Sequence, residues 1–319
     1  MPAIPLRLDH QNAELARITV IDWTLGNACN YACSYCPASL HDGSIAWPPL
    51  ARVTRFCDRV IDHFTSLGRE LLFQFSGGEP TVYPTFLELI RRLHERQCKV
   101  GLISNGSRTL RWWREAVPAL DQAVLTHHIE FVDRDHFISV VVELAARIRT
   151  HVNVTMLPER FDECVAAAGR IAAECADITL TLKPLLIGFG SESYPYTHTQ
   201  RETISRTSFA IRRTRPIAES RGPMCITYDD GGTETRRPAD LIVAGQNHFK
   251  GWECLAGVEL LAIDARGDVY RGLCRQGGRI GHIDDDAAIQ FPTGPVTCTR
   301  DTCHCATDLM TTRYLSTRG

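Results

Sequence analysis

Apolar positions recur along this chain with two alternating periods. Residues 17–25 (RITVIDWTL) are β-branched and aromatic and predict a strand, whereas residues 53–67 repeat apolar side chains at helical spacing. Residues 70–75 (ELLFQF) form a short apolar run, and residues 84–97 (PTFLELIRRLHERQ) an amphipathic helix with proline near its start. The exchange continues with strands at 100–103, 122–126, 151–156 and 178–183 and helices around 110–117, 133–149 and 161–175. A Gly/Ser/Tyr-rich loop and a helix near 200–213 follow. Strands separated by helices, with no Asn-Gly hairpin between them, predict βα units and a parallel sheet. Such sheets carry functional residues on the loops that follow the strands. After about residue 216 the periodicity weakens, and residues 216–250 read as a linker or extended loop. Residues 260–264 and 269–271, around Arg266-Gly267-Asp268, predict a β-hairpin. The expected organisation is an α/β core over 1–215, the linker over 216–250, and a small cysteine-rich domain over 251–319.

Composition adds exclusions. The 319 residues are 44% hydrophobic and 23% charged, with a formal net charge of −2. That balance gives no general attraction to nucleic acid or to an anionic membrane, so neither is expected as a partner. The longest apolar runs, such as residues 140–146, are too short to span a bilayer. The N-terminus lacks a signal-peptide core, which makes the cytoplasm the expected compartment.

Cysteine usage changes the picture most. The chain has 13 cysteines, an odd number, unevenly spaced, which does not suit a disulfide framework. Cys57, Cys98, Cys164 and Cys175 fall in helix-like or helix-end stretches and read as small buried hydrophobes. Cys29, Cys33 and Cys36 form C-x3-C-x2-C directly after the first strand, and Cys254, Cys274, Cys298, Cys303 and Cys305 gather near the end. Both groups read as metal ligands. Three thiolates suit one cubane iron–sulfur cluster and leave one iron open to another ligand. Zinc would want a fourth ligand, for which His41 is near enough in sequence. Gly77-Gly78-Glu79-Pro80 and Ser104-Asn105-Gly106 follow the next two strands, so three motifs are expected on one face. Taken alone, Gly77-Gly78 is a turn, and Ser104-Asn105-Gly106 a helix cap and turn. Three further candidates stand apart as catalytic groups: His127 at a strand end, Lys183 at the end of the last core strand, and Cys225, outside both cysteine groups. Asn153 and Thr155 alternate with Val152 and Val154, so one set is expected to face the interior.

Cys29-Asn30-Tyr31-Ala32-Cys33-Ser34-Tyr35-Cys36 resembles the signature loop of the radical S-adenosylmethionine (SAM) superfamily, and the resemblance runs over about residues 17–215. Gly77, Gly78, Glu79 and Pro80 match the segment that contacts the SAM amino group. Ser104 and Asn105 match one that touches the ribose or carboxylate, and Tyr35 matches an aromatic position near the adenine. The resemblance implies a partial (β/α)6 TIM-like barrel, with SAM chelated at the open iron of a [4Fe-4S] cluster held by Cys29, Cys33 and Cys36. One-electron reduction would then give a 5′-deoxyadenosyl radical that abstracts a substrate hydrogen. A flavodoxin- or ferredoxin-type donor is the implied source of the electron.

Cys254, the Gly267 hairpin, Cys274, Cys298, Cys303 and Cys305 resemble the auxiliary-cluster extensions called twitch or SPASM domains. Five cysteines fit the shorter form with one auxiliary [4Fe-4S] cluster, and which of them is spare stays open. A zinc-ribbon-like site is the alternative, though the C-x19-C and C-x4-C-x-C spacings of these five are not the paired C-x2-C of zinc ribbons. The resemblance implies oxidation or rearrangement in a biosynthetic pathway. The substrate expected first is a small polar metabolite such as a sugar, nucleoside or amino-acid derivative. Maturation of a peptide is the second reading, set back by the few residues before the first predicted strand. A non-catalytic iron–sulfur or zinc protein is the third.

Overall fold

The computed structural model describes residues 3–189, 192–216, 221–285 and 289–316. Its strands, in chain order, are β1 (Pro5–His10), β2 (Ile18–Thr24), β3 (Glu70–Ser76), β4 (Lys99–Ser104), β5 (Gln122–His127), β6 (Arg149–Met156), β7 (Ile178–Pro184), β8 (Met224–Tyr228), β9 (Thr233–Arg236), β10 (Glu253–Cys254), β11 (Leu260–Ile263), β12 (Asp268–Tyr270), β13 (Arg279–His282), β14 (Val296–Thr297) and β15 (Arg313–Tyr314). Two compact units divide the chain. One is Met1–Trp23, Pro48–Phe73 and Glu219–Gly319; the other is Thr24–Trp47 and Gln74–Ala218.

The second unit is the α/β layer expected from the alternating periods. Its strands run in the order β3-β4-β5-β6-β7. From β4 onward the pairs are parallel, with Ser104 opposite Leu125, Thr126 opposite Asn153 and Val154 opposite Leu182. Helices Phe86–Glu95, Leu110–Ala116, Arg134–Ala145 and Phe161–Glu174 connect them. On β6 the side chains of Val152, Val154 and Met156 are fully buried, so they take the helix-facing side. Phe75 meets Phe86 edge-on at 5.5 Å, fixing sheet to helix. Among the described residues the sheet is open and no barrel closes, as a partial barrel implies.

The first unit contains the order β13-β12-β11-β2 and a six-stranded sheet ordered β14-β10-β15-β1-β8-β9. β11 runs parallel to β2 and turns back through Gly267 (φ 89°) into β12, which is the predicted hairpin. Within residues 216–250, read as a linker, the structure has β8, β9 and helix Pro238–Val243. β8 alternates too briefly to read as a strand. It becomes one by pairing with β1, which puts Met224, Ile226 and Leu8 in one core with Leu241, Phe249, Trp252 and Leu309. Cys57, Cys98, Cys164 and Cys175 are all buried, as small hydrophobes would be. Among the described residues no helix is long and apolar enough to cross a membrane.

Candidate functional site

All three motifs read separately in the sequence lie in the second unit, where they touch. The segment after β3 folds back on the stem of the cysteine loop. Gly78 N donates to Gly26 O at 3.0 Å, and Glu79 N donates to Ala28 O at 2.8 Å. This approach is why glycine stands at both positions. A Cβ on Gly77 (φ 136°) would lie 2.4 Å from Gly26 O, and one on Gly78 would lie 2.3 Å from Ala28 O.

Glu79 then ties this segment to the end of β4. The residue is 1% exposed. Its Oε1 accepts from Thr81 N (3.1 Å), Thr81 Oγ (2.7 Å) and Ser104 Oγ (2.8 Å), and its Oε2 from Asn105 N (2.7 Å). Burial pushes its carboxyl pKa up, and the four donors work against that. Pro80 starts a short 3-10 turn that Glu79 caps. Asn105 completes the join, donating through Nδ2 to Asn30 Oδ1 at 3.0 Å and lying 3.9 Å from Cys29 Sγ.

The cysteine loop is braced from β5. Ser34 donates through N (2.8 Å) and Oγ (2.6 Å) to the two carboxylate oxygens of Glu130. Tyr35, 5% exposed, places its hydroxyl 2.7 Å from His128 Nδ1 and 3.1 Å from Thr155 Oγ1. Asn27, 2% exposed, shapes the rest of the loop. It donates to Ser39 O, Asp42 Oδ1 and Ser44 Oγ and accepts from Ile45 N. Nothing local in the sequence marks Asn27 or Glu130 for these tasks, because their partners are distant in the chain.

Cys29, Cys33 and Cys36 are all free. Burial pushes each thiol up, Cys33 to about 12, and Cys33 feels the charges of Cys29 and Cys36. Buried or half-buried thiols that feel one another in this way ionise together only against a positive charge, and bound metal supplies it. The donor set therefore fits an iron–sulfur cluster.

The other candidates separate. His127, 1% exposed, sits edge-on to Phe137 at 5.3 Å on the helix side, and burial lowers its pKa to about 4. Its neighbour His128 is the one that meets Tyr35. Lys183, at the end of β7, is open to solvent, yet the protein around it lowers its ammonium pKa. On β6, His151 bonds Asn153 at 3.0 Å and Thr179 at 2.7 Å, on the face shared with Thr155. Cys225 is on β8, in the other unit.

The five late cysteines all belong to the first unit. Cys254 stands opposite Val296 and Arg313 in the sheet. Cys298 exchanges backbone bonds with the other side of that strand, through Trp252 O and Gly251 N at 2.8 Å each. Cys303 is anchored by mutual bonds with Asn247, both 2.9 Å. Cys274 follows Leu273, whose N donates to Asp308 Oδ1 at 2.9 Å. Besides burial, Cys254 feels Cys303 and Cys298, Cys274 feels Cys303 and Cys254, and Cys303 feels Cys298. Cys305 sits at the N-cap position of helix Ala306–Leu309 without a side-chain capping bond, and the charge that bears on it most is Asp308. Among the described residues no three His, Cys, Asp or Glu side chains gather to the size of one ion's shell. Thiols whose charges reach one another without gathering round a single point suit a group larger than one ion. Asp22, at the end of β2, escaped the sequence reading; burial, then the charge of Asp308, raises its carboxyl to about 7.

The cysteine loop thus packs against a buried glutamate and a strand-end Ser-Asn on an open α/β sheet, which brings together the segments that resemble radical SAM motifs. The radical SAM superfamily model matches residues 23–183, half of the chain, so the chain belongs to that superfamily and is an enzyme of it. SAM and the [4Fe-4S] cluster of that superfamily are therefore its cofactors. The sequence is similar to mycofactocin maturase MftC of Mycobacterium ulcerans, 31% identical over 106 residues, covering 33% of this chain and 27% of that protein. The fold is similar to that of Streptococcus suis SuiB bound to S-adenosylmethionine. That likeness has a TM-score of 0.50 at 12% identity and covers 85% of this chain and 65% of that one. The matches thus span about a quarter of the maturase and less than two thirds of SuiB.

Proposed function

We propose that the chain reductively cleaves SAM and uses the resulting 5′-deoxyadenosyl radical to abstract a hydrogen from its substrate. The contact among the cysteine loop, Glu79 and Asn105 carries this reading, because it gathers the residues that match the family's SAM-binding segments. Cys29, Cys33 and Cys36 hold the cluster that supplies the reducing electron to SAM. Gly77, Gly78 and Pro80 let the backbone approach the loop, Glu79 fixes Ser104 and Asn105, and Tyr35 anchors the loop's far end. Residues 251–319 form the auxiliary domain, with Cys254, Cys274, Cys298 and Cys303 as the ligands of a second [4Fe-4S] cluster and Cys305 spare. The enzyme works in the cytoplasm with a flavodoxin- or ferredoxin-type donor.

For the substrate, the similarity to a protein named as a maturase favours a peptide precursor. No observation supports the small polar metabolite in particular. Anaerobically reconstituted protein is expected to turn SAM into 5′-deoxyadenosine under dithionite and to hold about eight irons per chain, against about four for one cluster. Bound iron without 5′-deoxyadenosine would instead support a non-catalytic iron–sulfur protein. A mass change in a short peptide encoded beside the gene, dependent on SAM, tests the substrate class.

A further inference from the structure

Arg313 is 2% exposed. It stands directly opposite Cys254 in the antiparallel pair of β10 and β15, and side chains so paired share a face with Cβ atoms about 5 Å apart. The guanidinium donates through Nε to Thr311 O at 3.2 Å and through Nη2 to the main-chain O of Asp308. Its carbon lies 4.5 Å from the ring centroid of Phe249. These partners are all neutral. Among the described residues no carboxylate lies within ion-pair distance of Arg313; the groups that face it and can become anions are Cys254 and Cys303, with the Asp308 carboxyl beyond them.

A guanidinium keeps its proton inside a protein. A buried charge left without a counter-ion costs several kcal/mol. The fold therefore carries a permanent cation whose available counter-charge is cysteine sulfur. A cluster with four thiolate ligands is negative when oxidised and more negative when reduced, so it would supply that counter-charge. The cation must then favour the reduced form most.

We propose that Arg313 is the buried counter-cation of the auxiliary iron–sulfur cluster, set against Cys254 and Cys303, and that it raises the potential at which that cluster takes up one electron. The proposal rests on the auxiliary-cluster reading above. The electron enters from an external donor, and no proton leaves Arg313.

The test uses the full chain with Cys29, Cys33 and Cys36 changed to alanine, reconstituted anaerobically, so that the auxiliary site alone is read. The measurements are iron and sulfide content and an EPR-monitored redox titration with dithionite and mediators. About four irons per chain are expected in this background. Arg313→Gln should make reduction at least tenfold less favourable, about 59 mV more negative for one electron, while Arg313→Lys should shift it less than half as far. If the glutamine variant loses its iron, the lysine variant should keep it. An unchanged potential in Arg313→Gln, or equal shifts or equal iron loss in both variants, would overturn the counter-cation. No iron in the triple-alanine background itself sinks the auxiliary cluster, and the proposal with it.

Discussion

Replacing Glu79 with glutamine tests whether this carboxylate is the fastener between the loops after β3 and β4. In the native chain one oxygen serves Thr81 N, Thr81 Oγ and Ser104 Oγ, and the other serves Asn105 N. A carboxamide keeps one acceptor oxygen and presents an NH2 where the second stood. If its oxygen faces Asn105, the NH2 confronts the Thr81 amide; turned round, it confronts the Asn105 amide. Hydroxyls can rotate to other acceptors, but a backbone amide cannot, so one buried N–H loses its acceptor in either pose. That loss costs about 1–3 kcal/mol. The remaining bonds weaken as a charged acceptor becomes neutral, while relief of the buried charge offsets part of the total. A net loss of about 2 kcal/mol is expected. Thr81→Val deletes one hydroxyl donor at nearly constant shape and should cost about 0.5–1.5 kcal/mol. Urea unfolding of the cluster-free protein, compared at equal slope, reads both values, and 5′-deoxyadenosine yield in the reconstituted protein reads the SAM site. If Glu79→Gln is as stable as the native chain, or costs less than Thr81→Val, the fastening argument fails.

Other expectations follow from the same geometry. Gly78→Ala puts a methyl group 2.3 Å from Ala28 O, so the Gly78 and Glu79 amides must leave the loop stem; SAM binding by the iron-loaded protein should weaken at least tenfold, and native-like affinity would count against the close approach. His127 has its pKa lowered from 6.5 to about 4 by burial, so the fold favours the neutral ring. Its contribution is complete above pH 6.5 and is lost as pH falls toward 4, about 2 kcal/mol by pH 5. The His127→Leu variant should therefore show a flatter acid limb in urea midpoints, and equal pH slopes would contradict this. Cys305→Ala should retain the iron of the auxiliary site, whereas Cys298→Ala should lose part or all of it; the reverse order would mean Cys305 is a ligand.

Much of the second unit was legible in the chain. Its strands and helices follow from apolar periodicity because each buries one face against a sequence neighbour in the βα series, as β6 does with Val152, Val154 and Met156. The motif loops were legible because they punctuate that series. β1 and β8 were not, since each is too short for its alternation to declare itself and its partners lie far away in the chain.

Sequence spacing by itself marked Cys29, Cys33 and Cys36 as one candidate ligand set, along with the candidate segments around Glu79 and Asn105 and the second cysteine group. Those features are local, and local chemistry is written in local order. Tertiary structure alone decided that Glu79 joins two loops, that Glu130 and His128 brace a third, and that Arg313 is buried opposite Cys254. Each of these depends on partners brought together across the fold, and on a burial that turns ordinary polar side chains into groups that must find a counter-charge or a donor.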